Sequence, residues 1–276
     1  MGHYNSPPID SPSSIVMLAL CIISILCTIY PVITMLHIGT KSQIAELTTV
    51  INLAMTIWTV SSLPFMYHRS HLCAVVGFFL WYSLIQLVMA ASLMMHGAKE
   101  YIMAIHSTQG AGEDSGTRLT LNYASRIILY VVPVIPPLFP LLTSSYGSMY
   151  CWCTIDMNAK WGDESFFVLV AACWSPVILV MYHCYTSALK VAHSMSSSEL
   201  LFQVVLNGPA MYGSATIGLF AAAAMYNLVA ALLYRQRSAE SIYYGQYGFT
   251  LAVCLLGISY VFIFKRNLEH VKVRLW

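Results

Sequence analysis

Charged side chains are scarce in this sequence: they make up only 9% of the 276 residues. A soluble globular domain usually carries about 25% charged residues, so this chain lacks the side chains of an ordinary water-facing surface. Hydrophobic residues make up 58%, which indicates that lipid is the solvent for most of the chain. A basic block and a glycine-rich phosphate loop are also missing, and with a net charge of only +2 we predict no nucleic-acid partner.

Long apolar stretches fill most of the chain. A helix needs about 20 mostly apolar residues to cross a membrane, and seven such stretches are present. In chain order, spans one to seven are Ile15–His37, Ile44–Met66, Leu72–Met95, Tyr123–Ser145, Ser165–Leu189, Leu200–Tyr234 and Ile242–Phe264. The third continues as a plausible helix to about Ile105. We therefore predict an all-α fold, a polytopic membrane protein with a seven-transmembrane-helix bundle.

The positions of lysine and arginine predict which side each loop faces, because cytoplasmic loops carry an excess of these residues. With the N-terminus outside, nine of them fall on the cytoplasmic side and four on the outer side. We therefore predict an external N-terminus. Residues 1–14 form a short extracellular tail, residues 15–264 the transmembrane domain, and residues 265–276 a short cytoplasmic amphipathic tail on membrane lipid.

The stretch YCWCTID (residues 150–156) places Cys151 and Cys153 in a loop that this orientation puts outside. Outer compartments are oxidising, so cysteines there tend to pair. Cys73, which opens the third span, is the other outward candidate. A bridge from Cys73 to either Cys151 or Cys153 would close a loop of about 80 residues, which the chain-entropy model values at about 4 kcal/mol.

Zinc binding is the alternative for the same outer rim. The ligands would be His68, His71, Cys73, Cys151 and Cys153. Two cysteines separated by one residue are unusual for zinc, however. We therefore predict no metal site and no cofactor.

Ionisable side chains are almost absent from the centres of the spans. Ion-driven transporters are expected to hold carboxylates near the membrane midplane, so this absence argues against that class. A retinal Schiff base is not expected either, because no lysine lies inside the seventh span and Lys265 is at its inner end. We find little support for catalysis and predict that the protein is not an enzyme.

Neutral polar and aromatic side chains remain as candidates for binding. Gln86, Asn227 and Gln246 could line one cavity in the outer half of the bundle, where such amides can orient a polar ligand. Trp81 and Trp174 could wall the same cavity. The alternative is that the amides hold helices together, which is worth about 1 kcal/mol in membranes.

Four prolines lie close together in the fourth span, at Pro133, Pro136, Pro137 and Pro140. Proline removes a backbone donor and clashes with the preceding turn. We therefore predict that this span bends or locally unwinds.

Two short patches resemble a known family. The third span opens with CAVVGFF (residues 73–79), followed by Gln86 and Ala91-Ser92, and the outer loop contains Cys151-Trp152. With seven spans and an external N-terminus, the chain resembles a G-protein-coupled receptor of the cyclic-AMP-receptor-like family, related to the secretin and adhesion receptors. The resemblance implies a Cys73–Cys151 disulfide and coupling to a heterotrimeric G protein.

The inner face holds the residues that would meet that G protein. Lys99, Glu100 and Tyr101 stand at the foot of the third span, and Arg126 and Lys190 lie at the inner ends of the fourth and fifth spans. Glu46, at the inner end of the second span, could pair with Lys99 or Arg126. Such a pair would hold a closed state together, or it would be a surface ion pair of little energetic worth.

We therefore predict a cell-surface receptor in the plasma membrane that binds an extracellular small molecule. One alternative is a solute carrier of the seven-helix sugar-exporter type, but no repeat relates the first three spans to the last three. The other alternative is a structural subunit of a membrane complex, which would explain the short loops.

Overall fold

The computed structural model describes residues 12–38, 43–63, 72–108, 122–149, 152–156, 159–176, 179, 247–248, 250–262 and 264–265. These ranges include parts of six predicted spans. The sixth predicted span lies outside the described residues.

Three long helices come first: α1 (Pro12–Ile38), α2 (Gln43–Ser61) and α3 (Cys73–Thr108). α1 opens on a proline, which suits the first turn of a helix because an N–H there has no intrahelical partner. α3 contains 36 residues and is therefore about 54 Å long, whereas the hydrocarbon core of a membrane is about 30 Å thick. α3 must extend beyond the membrane, which agrees with its predicted continuation.

Three of the described helical segments are long and apolar enough to cross a membrane. They are Ile15–His37, Cys73–Met94 and Tyr123–Leu142, with mean hydropathies of 2.6, 2.0 and 1.7. The first has the bounds predicted from the sequence. A shorter apolar helix, Thr250–Phe262, lies within the predicted seventh span.

The fourth span is broken at its prolines. It consists of α4 (Tyr123–Tyr130), a 3-10 turn (Val132–Val134) and α5 (Ile135–Leu142). The Asn122 side chain caps α4 by accepting a hydrogen bond of 2.7 Å from the Ser125 N–H. α4 ends three residues before Pro133, because proline has no backbone N–H and its ring clashes with the preceding turn of an α-helix. The predicted local unwinding is confirmed.

A β-hairpin follows α5, where the sequence predicted only a loop. Strands β1 (Tyr146–Met149) and β2 (Trp152–Ile155) pair antiparallel, with Tyr146 opposite Ile155 and Gly147 opposite Thr154. The base of the hairpin is closed by a hydrogen bond of 2.8 Å from the Asp156 N–H to the Ser145 carbonyl. The all-α prediction is therefore right for the bundle and incomplete for this loop.

The first and last described helices run parallel. Cys21 contacts Cys254, with 3.6 Å between their Sγ atoms, and three residues further along each helix Ser24 lies against Gly257. Further along still, the Tyr30 and Phe264 rings meet edge to face with centroids 6.3 Å apart. Because residue numbers increase in the same direction along both helices, the two helices cross the membrane in the same direction. This is the arrangement that an odd number of spans requires, with the two termini on opposite sides.

α3 forms the centre of the bundle. Two-thirds of its apolar window, 67%, is buried inside the protein, against 28% for Ile15–His37 and 22% for Tyr123–Leu142. α2 packs along α3, and their core includes Trp58 and Ile85. Residues of the last helix, Tyr260 and Phe264, complete the same core. α1 and the fourth span therefore occupy the periphery, where exposed apolar side chains face lipid.

Candidate functional site

The hairpin of β1 and β2 rests on one stripe of α3. Cys73, Gly77 and Trp81 are spaced four residues apart, so they lie on one face of the helix. Eight residues of helix correspond to about 12 Å. Each of the three contacts the hairpin, so the hairpin follows α3 inward from its outer end rather than lying across the top.

A disulfide forms the first contact of this stripe. Cys73 is bonded to Cys153, 80 residues away, with the Cα atoms 5.0 Å apart. The Cys73–Cys151 bridge that the family resemblance implied is therefore wrong. The register of the hairpin gives the reason: Cys153 lies beside α3, with its carbonyl against Gly77. Cys151 lies outside the described residues.

The disulfide removes two of the five candidate ligands for zinc. Cys73 and Cys153 are joined to each other. His68, His71 and Cys151 lie outside the described residues. Within the described ranges, no three side chains of the metal-binding types come together.

Tyr146 forms the second contact and joins two spans. A side chain at Gly77 would place its Cβ 2.6 Å from Cδ1 of the Tyr146 ring, so only glycine leaves room for the ring. The Tyr146 hydroxyl donates a hydrogen bond of 3.1 Å to the Pro137 carbonyl of α5. Burial raises the pKa of Tyr146, which keeps the hydroxyl protonated and able to donate.

Trp81 makes the third contact. Its indole Nε1–H donates to Thr154 Oγ1 at 3.2 Å, and the side chain is only 5% exposed. Because that N–H is already used, Trp81 has only its ring face available for another partner. Gln86 lies five residues, or about 8 Å, further along α3. It is buried.

The other predicted ligand-binding residues are only partly described. Trp174 lies in the helix at residues 162–176 and is half-buried against the core to which Trp81 belongs. Asn227 and Gln246 lie outside the described residues. The structure thus gathers Trp81, Gln86 and Trp174 in one bundle, while their function stays a prediction.

Arg126 is held by Glu46 at the opposite end of the bundle. One carboxylate oxygen of Glu46 accepts a bond of 3.2 Å from the Arg126 guanidinium, and the other accepts a bond of 3.3 Å from the Tyr130 hydroxyl. Arg126 and Tyr130 are four residues apart on α4, so they share one face. Of the two partners considered for Glu46, Arg126 forms an ion pair with it, and the side chain of Lys99 lies outside the described part of the chain.

The remaining residues predicted to face a G protein are less fully described. Lys99, Glu100 and Tyr101 lie within the helical backbone of α3, and their side chains lie outside the described part of the chain. Lys190 also lies outside it. Their role stays a prediction.

These observations define a class of fold: a helical membrane bundle centred on its third helix, with a hairpin bonded to the outer end of that helix. A crystal structure of squid rhodopsin has a similar fold, with a TM-score of 0.66 over 95% of this chain and 78% of that chain. The sequences are only 12% identical, so the likeness shows the fold alone. No family model and no curated protein sequence matches the chain.

Sequence reasoning missed three residues of these contacts: Tyr130, Tyr146 and Thr154. The spacing of Arg126 and Tyr130 was a usable signal, because residues four apart on a helix share a face. Tyr146 and Thr154 had no such signal. Their roles depend on the register of the hairpin, and the loop contains no Asn-Gly or Asp-Gly turn to reveal a hairpin.

Proposed function

We propose that the chain is a cell-surface receptor of the cyclic-AMP-receptor-like type in the plasma membrane. It binds an extracellular small molecule in the outer half of the bundle and signals to a heterotrimeric G protein. The observation that carries this proposal is the fold shared with squid rhodopsin along 95% of the chain. The hairpin bonded to α3 adds support, because it gives the outer half of the bundle a fixed wall.

The ligand site that we propose uses Trp81, Gln86, Trp174, Asn227 and Gln246. Because the indole N–H of Trp81 is bonded to Thr154, Trp81 would contact the ligand through its ring face. A ring face attracts apolar groups and cations. Gln86 would supply the polar contact that fixes the ligand's orientation.

The signalling face that we propose consists of Lys99, Glu100, Tyr101, Arg126 and Lys190 at the inner end. Glu46 neutralises Arg126 and ties α4 to α2. A G protein that uses Arg126 would have to compete with Glu46. In this proposal, the Glu46–Arg126 pair stabilises the resting state, and its exposure limits that stabilisation to about 1 kcal/mol or less.

Nucleotide exchange tests the proposal directly. The purified full chain in lipid vesicles would be combined with a purified heterotrimeric G protein, with cyclic AMP as the first ligand tested. We expect faster exchange when the ligand is present, and a smaller response in a Gln86→Leu variant that keeps the side-chain volume but removes the amide. Unchanged exchange, together with sugar uptake into the same vesicles, would favour the solute-carrier alternative.

A further inference from the structure

Two free thiols meet where α1 packs against the last helix. Cys21 and Cys254 are 233 positions apart in the sequence, yet their Sγ atoms are 3.6 Å from each other. Both side chains are completely buried, in a cluster that also contains Met17 and Leu63. Cys21 lies six residues inward from Ile15, which places the pair about 9 Å below the outer end of the first span.

The neighbouring contact holds the two thiols in place. One turn further inward, a Cβ on Gly257 would collide with Ser24 Oγ, so the Ser24 side chain packs directly against the backbone of Gly257. The Thr28 hydroxyl, next along α1, contacts the Thr56 hydroxyl of α2 at 2.8 Å. α1 is therefore fixed on both sides, and the thiols cannot drift apart without breaking these contacts.

We propose that Cys21 and Cys254 form an oxidisable pair, which a lipid hydroperoxide converts to a disulfide between the first and last helices. A disulfide needs its sulfur atoms about 2.05 Å apart, so a shift of about 1.5 Å is sufficient. The hydroperoxide is chosen because it dissolves in the acyl chains that surround the bundle. The reaction is slow because buried thiols have low reactivity. The disulfide is the favoured product because the two sulfur atoms are already close together.

The chemistry balances in two steps. One thiol sulfur attacks the terminal oxygen of the hydroperoxide, the O–O bond breaks, and an alcohol leaves while the cysteine becomes a sulfenic acid. The second thiol then attacks the sulfenic sulfur, the S–S bond forms, and the oxygen leaves as water. Two thiols and one hydroperoxide thus give one disulfide, one alcohol and one water.

Peptide mass mapping under non-reducing conditions tests the proposal. The full chain in lipid nanodiscs would be treated with cumene hydroperoxide as the probe. We expect a Cys21–Cys254 peptide that is absent before treatment and appears beside the existing Cys73–Cys153 peptide. The melting temperature should also rise with treatment, because a bond between residues 233 positions apart restricts the unfolded chain.

Matched controls separate a specific pair from general oxidation. Cys21→Ser and Cys254→Ser should each abolish the new peptide and the rise in melting temperature. Cys173→Ser, which removes another buried thiol, should leave both unchanged. Recovery of Cys21 and Cys254 as unlinked thiols or sulfinic acids after full treatment would overturn the proposal. Equal linkage of Cys21 and Cys27 to Cys254 would overturn it too, and both results can be read from the unmutated chain.

Discussion

Gly77 shows how one missing side chain decides the position of the hairpin. An alanine at position 77 would place a methyl group 2.6 Å from the Tyr146 ring and 3.1 Å from the Cys153 carbonyl oxygen. That carbonyl belongs to a residue bonded to Cys73, so it cannot move away freely. We expect Gly77→Ala to destabilise the fold by about 1–3 kcal/mol, as overpacking usually does. Thermal unfolding in detergent measures the loss.

Gly248 provides the matched control for Gly77. Both are helical glycines, but a Cβ on Gly248 meets nothing within 4 Å. Gly248→Ala should therefore be neutral, or stabilising by up to about 1 kcal/mol, because alanine favours a helix more than glycine. If the two substitutions lowered the melting temperature equally, the close contact between Gly77 and Tyr146 would not be responsible.

The ionisation of Tyr146 makes the stability of the protein depend on pH in the alkaline range. Burial raises its pKa in the folded state above the unfolded value of about 10. The folded protein then holds this proton more tightly than the unfolded chain. Stability from this group is fully present below about pH 10 and is lost as the pH rises further.

Tyr146→Phe tests this assignment. The variant keeps the ring but loses the hydrogen bond to the Pro137 carbonyl, which should cost about 1 kcal/mol near neutral pH. It should also lose part of the decline in melting temperature above about pH 10. An identical alkaline decline in the variant would mean that other groups cause it.

At the scale of elements, the disulfide determines where the hairpin sits. Cys153→Ser should remove about 4 kcal/mol of stability, the value expected for a loop of about 80 residues, whereas Cys151→Ser should change little. Thermal unfolding of both variants with and without a reductant checks this. Reductant should lower the melting temperature of the unmutated chain and leave the Cys153→Ser variant unchanged. A large loss of stability in Cys151→Ser, with little change in Cys153→Ser, would show that Cys73 pairs with Cys151 instead.

Glu46 links α2 to α4 at the other end of the bundle. The side chains of Arg126 and Glu46 are 55% and 27% exposed, so their attraction is screened by water and salt. A double-mutant cycle with Glu46→Gln and Arg126→Gln should give a coupling of about 0.2–1 kcal/mol, measured by thermal unfolding and falling as salt is added. A coupling that persists at high salt would show that the pair does not interact chiefly through charge.

The sequence predicted the elements that depend on local chemistry. The prolines of the fourth span produced the expected break, and the first span has its predicted bounds. The partner of Cys73 could not be chosen, because the distance from α3 to each cysteine depends on a strand register that no local pattern specifies. Tyr146 and Thr154 were missed for the same reason. Their contacts join residues far apart in the chain, such as Trp81 and Thr154, and only the assembled fold shows them.

For the whole molecule, the parallel first and last helices determine the relation between the two ends. The contacts of Cys21 with Cys254 and of Ser24 with Gly257 advance in the same direction, so the chain leaves the bundle on the side opposite to its entry. The distribution of lysine and arginine then predicts which side is outside. The disulfide supports the same orientation, because such bonds persist in oxidising compartments.

Lys160 and Lys265 test this orientation in intact cells. Both are exposed. Lys160 lies beside Trp161 near the hairpin, with its Nζ 5.9 Å from the ring centroid, and Lys265 lies at the inner end of the last described helix. A membrane-impermeant amine reagent should modify Lys160 from outside and reach Lys265 only after the membrane is permeabilised, as mass mapping would show. Modification of Lys265 but not Lys160 in intact cells would show that the bundle has the opposite orientation in the membrane. The hairpin would then face the cytoplasm, where the proposed extracellular ligand could not reach it.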